Sequence, residues 1–188
     1  VDFVKGKMEV THSFPMVHAR DDDNVTICTP WSPPNQGHVK LNTDSSVLNG
    51  KAGSDMVLRD DLGSIIFNVC RYIGDCEDIL ESEIMAMREG ISLALQWISL
   101  PIDVVSVCME AVSMVNNVDH NLSKYSFLIR EIKHSMGERD SSITHIQCTC
   151  NGVSHAMANF GRGRGRTMVR LGLAPDEVLD IALRGCNP

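Results

Sequence analysis

VKLNTDSSVLNGKAGSDMVLRDDLGSIIFNVCRYI, residues 39 to 73, contains three alternating runs joined by two turn signals. The first run ends in Asn49-Gly50, the dipeptide best suited to a two-residue hairpin turn because both central positions need positive φ. A second strand is expected from Ala52 to Arg59. Asp60, Asp61 and Gly63 then supply another turn before SIIFNVCRYI. The stretch therefore predicts a three-strand antiparallel meander, which narrows the fold considerably.

Downstream the period changes. Asp78 and Glu81 have capping-box spacing, and a helical period persists to Trp97 or Ile98. Ile79, Ala86, Met87, Gly90, Ala94 and Trp97 fall on one side of that helix, and Glu81, Arg88, Glu89 and Gln96 on the other. Glu83 falls in the middle of the apolar side, where a carboxylate is costly unless it meets a metal, a cation or hydrogen-bond donors. DVVSVCM, Asp103 to Met109, reads as a central strand covered on both faces, with Glu110 at its carboxyl end, where open α/β sheets place their sites. A helix is expected from Ala111, another from Ser123 to Glu138, a last strand in SSITHIQC, and a helix opening at Asn151 that carries His155. That helix is expected to fade in the Gly-Arg repeat from Gly161 to Arg166, with a short terminal helix between Pro175 and Gly185.

Upstream, residues 1 to 38 lack a sustained apolar period, contain Asp21, Asp22 and Asp23, and end near Pro30, Pro33 and Pro34, as a linker does. The resulting division is a linker over 1–38, one domain over 39–160, and a basic linker with a short helix over 161–188. One domain suits 188 residues. A formal charge of −7 and a pI near 5.4 argue against a generally sticky nucleic-acid binder, so any phosphate contact must be local. No apolar run is long enough to span a membrane, no signal pattern opens the chain, and seven scattered cysteines suggest reduced thiols and an intracellular protein.

Several blocks carry a family likeness. WSPPNQGHVKLNTDSS (Trp31 to Ser46), AGSDMVLRDDLG (Ala52 to Gly63) and SEIMAMREG (Ser82 to Gly90) occur in order, and the tail TMVRLGLAPDEVLDIAL fits as well. With the element order above, this resembles the ribonuclease H-like domain of the plant retroelement, reverse transcriptase-like type. The resemblance implies an α/β fold: a mixed five-stranded sheet, antiparallel meander plus parallel strands, flanked by helices. It also implies an endonuclease that hydrolyses the RNA strand of RNA/DNA hybrids with two Mg²⁺ or Mn²⁺ ions; a monomer is expected. The family's four site residues fall on Asp44, Glu83, Glu110 and His155. Asp44, Glu83 and Glu110 would hold metal, and His155 would assist the second ion or move protons. Clustered carboxylates suit that chemistry because hard divalent cations take oxygen ligands and two ions stabilise both the attacking and the leaving oxygen.

The chain departs from the family pattern at four places. Glu110 stands where members usually have Asp, Ser45 and Asp55 where they have Gly, and Cys148 where an Arg is common. An added methylene at Glu110 shifts a charge by about 1 Å, enough to cost about 100-fold in a catalytic array. A catalytically degenerate nucleic-acid-binding or interaction module of retroelement origin is therefore the alternative. Arg162, Arg164 and Arg166 either grip phosphates or form a basic linker. His145, Cys148, Cys150 and His155 match no common zinc spacing, and strand alternation sends His145 and Cys148 to opposite faces.

Overall fold

The computed structural model describes residues 31–76, 78–118, 121–147 and 151–172. The meander is present as β1 (Val39–Leu48), β2 (Lys51–Arg59) and β3 (Ile65–Asp75). Asn49 and Gly50 both take positive φ, +52° and +72°, and Leu48 faces Lys51 across the turn. At the second turn the Asp60 carboxylate accepts the Leu62 and Ser64 N–H groups at 3.0 and 2.7 Å, and Gly63 sits at φ +83°.

The remaining elements are α1 (Ile79–Trp97), β4 (Ile102–Ser106), α2 (Met109–Asn116), α3 (Ser126–Met136), β5 (Ser141–His145), α4 (Gly152–Arg164) and β6 (Met168–Leu171). The sheet order is β5-β4-β1-β2-β3-β6, with β4 parallel to β1 and β5 parallel to β4. Six strands replace the expected five. The addition is β6, which pairs antiparallel with β3 through Met168 to Leu171.

Strand alternation assigns the two faces. Leu41, Met56, Leu58, Phe67 and Val69 point toward α1, where Ile84, Met87 and Ile91 complete a core joined by Ile129 and Ile132 of α3. Gly90 permits close approach there, since an added Cβ would stand 3.1 Å from both Leu41 Cδ2 and Met56 Cγ. Asp78 caps α1 as the spacing predicted, accepting the Glu81 N–H at 3.2 Å. Its other oxygen accepts the Tyr125 hydroxyl at 2.6 Å and meets Lys124, which ties the start of α3 to that of α1.

The opposite face is covered by α4. Its approach is closest at Gly53, where a Cβ would lie 2.7 Å from the Ala158 carbonyl oxygen and the Arg162 nitrogen. Packing at this distance explains why the Gly-Arg repeat is helical where its composition reads as linker: residues 161–164 form the last turn of α4, and tertiary contact outweighs the low helix propensity of glycine. Gly165, at φ +61°, then ends the helix and turns the chain into β6.

Upstream of Val39, the chain also contacts the sheet. The Trp31 indole donates to Asn42 Oδ1 at 3.0 Å, with the Arg59 guanidinium 4.6 Å from its ring centroid. Residues 1–30, Cys148, Cys150 and the expected terminal helix lie outside the described residues. Among the described residues Cys70, Cys76 and Cys108 are free thiols, and no helix is long and apolar enough to cross a membrane.

Candidate active site

Asp44 lies in the second half of β1 and Glu83 in the second turn of α1, and both are buried, at 2% and 4% exposure. Residue 45 links them. The Ser45 N–H donates to Asp44 Oδ1 at 2.8 Å and to Glu83 Oε1 at 3.2 Å, while the Ser45 hydroxyl donates to the same Glu83 oxygen at 2.8 Å. The inner oxygens of both carboxylates are thereby satisfied. The outer oxygens, Asp44 Oδ2 and Glu83 Oε2, are buried and lack a well-formed hydrogen bond.

His155 comes from the other face. Its Nδ1 stands 3.4 Å from Asp44 Oδ2, an ion-pair distance rather than a well-formed hydrogen bond, and its side chain is 53% exposed. Asn151 holds it there. Its side chain accepts from Asn42 Nδ2 at 3.0 Å and donates to the Thr43 carbonyl at 3.1 Å, while its own carbonyl accepts the His155 N–H at 3.0 Å. Asn151, which the sequence showed only as the opening residue of the helix, therefore fastens α4 to the two β1 residues that precede Asp44.

Glu110 occupies a different position from the one expected. The strand ends at Ser106, whose hydroxyl accepts the Cys108 N–H at 3.1 Å, and α2 starts at Met109, so Glu110 lies in its first helical turn with an exposed side chain. Among the described residues no three His, Cys, Asp or Glu side chains are grouped closely enough to hold one ion, so Glu110 does not join Asp44 and Glu83 in a shared ligand set.

Burial dominates the electrostatics. It raises the Asp44 pKa, with the Ser45 N–H and His155 offsetting part of the rise. Burial, followed by the neighbouring Asp44 charge, pushes Glu83 up to about 7. Two carboxyls competing for charge in a poorly solvated place suit either a shared proton or a cation. A hard divalent ion fits the pair: the orphaned outer atoms are oxygens, and Mg²⁺ is commonly held by one or two carboxylates with water and substrate phosphate completing its shell. The three-residue set expected from the family likeness is not assembled.

Asp55 faces Asp44 across the β1–β2 register and is fully buried at 0% exposure. Burial raises its pKa well above the ordinary range, and the Ser154 hydroxyl and Met56 N–H offset this only in part, neither carboxyl oxygen having a well-formed hydrogen bond. A carboxyl whose pKa is raised on folding favours the fold below its unfolded pKa, and this contribution is lost as pH rises toward the folded value. Asp55→Asn is therefore expected to stabilise the domain at pH 7 by about 1–2 kcal/mol, roughly 3–8 °C in Tm, and to flatten its stability profile toward alkaline pH. An unchanged melting temperature would contradict this account of Asp55.

The arginines of the repeat differ in placement. Arg162 is half-buried and donates to Asn159 Oδ1 at 2.9 Å, which also accepts the Ser46 hydroxyl at 2.7 Å. Arg164 is the last residue of α4, and Arg166 is exposed beyond its end.

A search of curated protein sequences returns no significant match. Among solved structures, LC11-RNase H1, isolated from compost by a metagenomic approach, is similar with a TM-score of 0.61 at 17% identity, over 69% of this chain and 98% of that one. The same enzyme in complex with an RNA/DNA hybrid gives 0.59 at 18%, over 67% and 97%. The N-terminal RNase H domain of a Mycobacterium tuberculosis protein, fused to maltose binding protein, gives 0.63 at 13%, over 69% and 96%. At these identities the structural likeness shows the fold alone. A family model described as reverse transcriptase-like matches residues 42–161. That match spans well over half of the sequence: the chain belongs to the reverse transcriptase-like family, and its domain is RNase H-like.

Proposed function

We propose that this domain hydrolyses the RNA strand of RNA/DNA hybrids with Mg²⁺ or Mn²⁺ held by Asp44 and Glu83. The observation that carries the reading is the pair of buried carboxylates whose outer oxygens lack a well-formed hydrogen bond. The hybrid as substrate is supported by the fold shared with LC11-RNase H1, which has been solved with an RNA/DNA hybrid bound.

When bound, the cation supplies Lewis-acid stabilisation of charge on the reacting phosphodiester. Asp44 and Glu83 would supply its oxygen ligands in their ionised forms. His155 holds or releases a proton at Nδ1, where it faces Asp44 Oδ2, and its exposure leaves the ring accessible to solvent. A second ion would require Glu110 to supply a ligand together with substrate phosphate. Arg166, exposed beyond α4, is suited to a backbone phosphate, whereas Arg162 is partly committed to Asn159.

Strand selectivity tests this proposal. With either metal, a hybrid labelled on both strands is expected to lose its RNA strand while its DNA strand and an all-DNA duplex persist, and chelation is expected to stop the reaction. Cleavage of neither strand with either metal would rule the proposal out.

Titration of Glu83 adds a pH dependence. Because metal binding requires the ionised carboxylate, apparent Mg²⁺ affinity is expected to rise with pH, by up to about tenfold per unit below pH 7, and to level off above it. The metal-free protein behaves oppositely: the stability contributed by protonated Glu83 is complete below about pH 4.5 and is lost as pH rises through about 7. Calorimetric titrations with Mg²⁺ from pH 5.5 to 8.5 check the first expectation, and a flat profile would contradict it.

A second reading rests on Glu110. With that side chain exposed and no three candidate ligands grouped among the described residues, a module that binds nucleic acid without cutting it is the competing account. Hybrid binding without metal-dependent cleavage would favour it.

A further inference from the structure

We propose that Ser45 is a positioning residue that clamps the carboxylate pair and thereby sets its affinity for a divalent cation; this rests on the metal-dependent reading above. The family pattern has Gly at this position, which keeps a backbone N–H but offers no hydroxyl. Here the backbone N–H is shared between Asp44 Oδ1 and Glu83 Oε1, at 2.8 and 3.2 Å, and the hydroxyl adds a second donor to Glu83 Oε1 at 2.8 Å. Ser82, the residue before Glu83, completes the arrangement with its Oγ 2.9 Å from Ser45 Oγ. Once the Ser45 proton goes to Glu83, the Ser45 oxygen is free to accept from Ser82. Ser82 Oγ also lies 2.8 Å from the Ile79 carbonyl, so its single proton serves one of these two acceptors.

The geometry has a direct consequence for binding. Two donors on Oε1 fix the rotation of the carboxylate, so that Oε2 is the oxygen left over, buried and without a well-formed hydrogen bond. A ligand held before the cation arrives loses less freedom when it binds. Both Ser45 and Ser82 are buried, at 8% and 0% exposure, so water competes poorly for these hydrogen bonds. The substitution that looks like relaxed constraint in the sequence thus adds a donor that only the folded protein brings to Glu83, 38 residues away.

Mn²⁺ binding followed by electron paramagnetic resonance tests the proposal without reference to cleavage, with Asp44→Asn as the control for binding elsewhere. Ser45→Ala is expected to weaken Mn²⁺ binding about tenfold with melting temperature little changed. Ser82→Ala is expected to weaken it less, and the double variant no more than Ser45→Ala alone, because the two hydroxyls act in sequence. If Ser45→Ala does not fold, Ser45→Gly removes the same hydroxyl and is expected to show the same loss. Wild-type affinity in the hydroxyl-deleted variant would overturn the clamp and leave the metal-dependent reading standing. Absence of Mn²⁺ binding by the wild-type protein above the Asp44→Asn control would overturn both.

Discussion

Replacing Gly53 with Ala is expected to lower the stability of the domain by about 3 kcal/mol, roughly 10 °C in Tm, although it adds one methyl group to a strand. The reason is steric. The new Cβ would lie 2.7 Å from two backbone atoms of α4, the Ala158 oxygen and the Arg162 nitrogen, and 2.9 Å from Arg162 Cβ. None of these is the free end of a side chain, so the helix itself must move. Gly53 lies outside the left-handed φ region, which leaves contact with α4 as the cause. The displaced helix carries His155, so hydrogen exchange in α4 should rise and metal-dependent cleavage should fall with it. A Gly53→Ala protein with wild-type melting temperature and α4 protection would show that α4 is not seated against β2 as described.

Asp44→Asn is expected to separate function from stability. Loss of the charged ligand should reduce hybrid cleavage at least about 100-fold, as misplacing or deleting one member of a positioned array does. The fold should hold or gain stability, because burial disfavours the Asp44 charge in the metal-free state and the amide removes that cost. Circular-dichroism melts in chelator beside cleavage rates in Mn²⁺ check both parts. A variant that retains cleavage within tenfold of wild type would place the chemistry elsewhere; one that unfolds would make Asp44 a structural residue.

Much of this arrangement is legible in local sequence, and what is missing has identifiable reasons. Asn49-Gly50 specifies its turn because its φ requirement belongs to those two residues alone. Glu83 stood out because it interrupts an apolar helical face, and it is buried as that interruption implied. Local sequence does not reveal β6, because Met168 to Leu171 is a four-residue edge strand following a Gly-Arg repeat, and its pairing with β3 is a contact across about a hundred residues. DVVSVCM reads as strand as far as Met109 because it is mostly apolar and rich in valine, whereas the chain turns after Ser106, whose hydroxyl accepts the Cys108 N–H, and Glu110 falls in the helix that follows. Ser45 and Asp55 looked alike in sequence, both being side chains where the family pattern has Gly. The fold distinguishes them: Ser45 meets Glu83 and gains a partner, while Asp55 is enclosed beneath α4 and its oxygens lack well-formed hydrogen bonds.

Asp44 and Glu83 are proposed to act as a metal-dependent hydrolytic pair. The most direct measurement incubates the purified protein with an end-labelled RNA/DNA hybrid in Mg²⁺ and in Mn²⁺, with Asp44→Asn and Glu83→Gln alongside. The account predicts cleavage of the RNA strand by the wild-type protein in at least one metal and at least about a 100-fold loss in each variant. Wild-type rates no higher than those of the variants in both metals would contradict it.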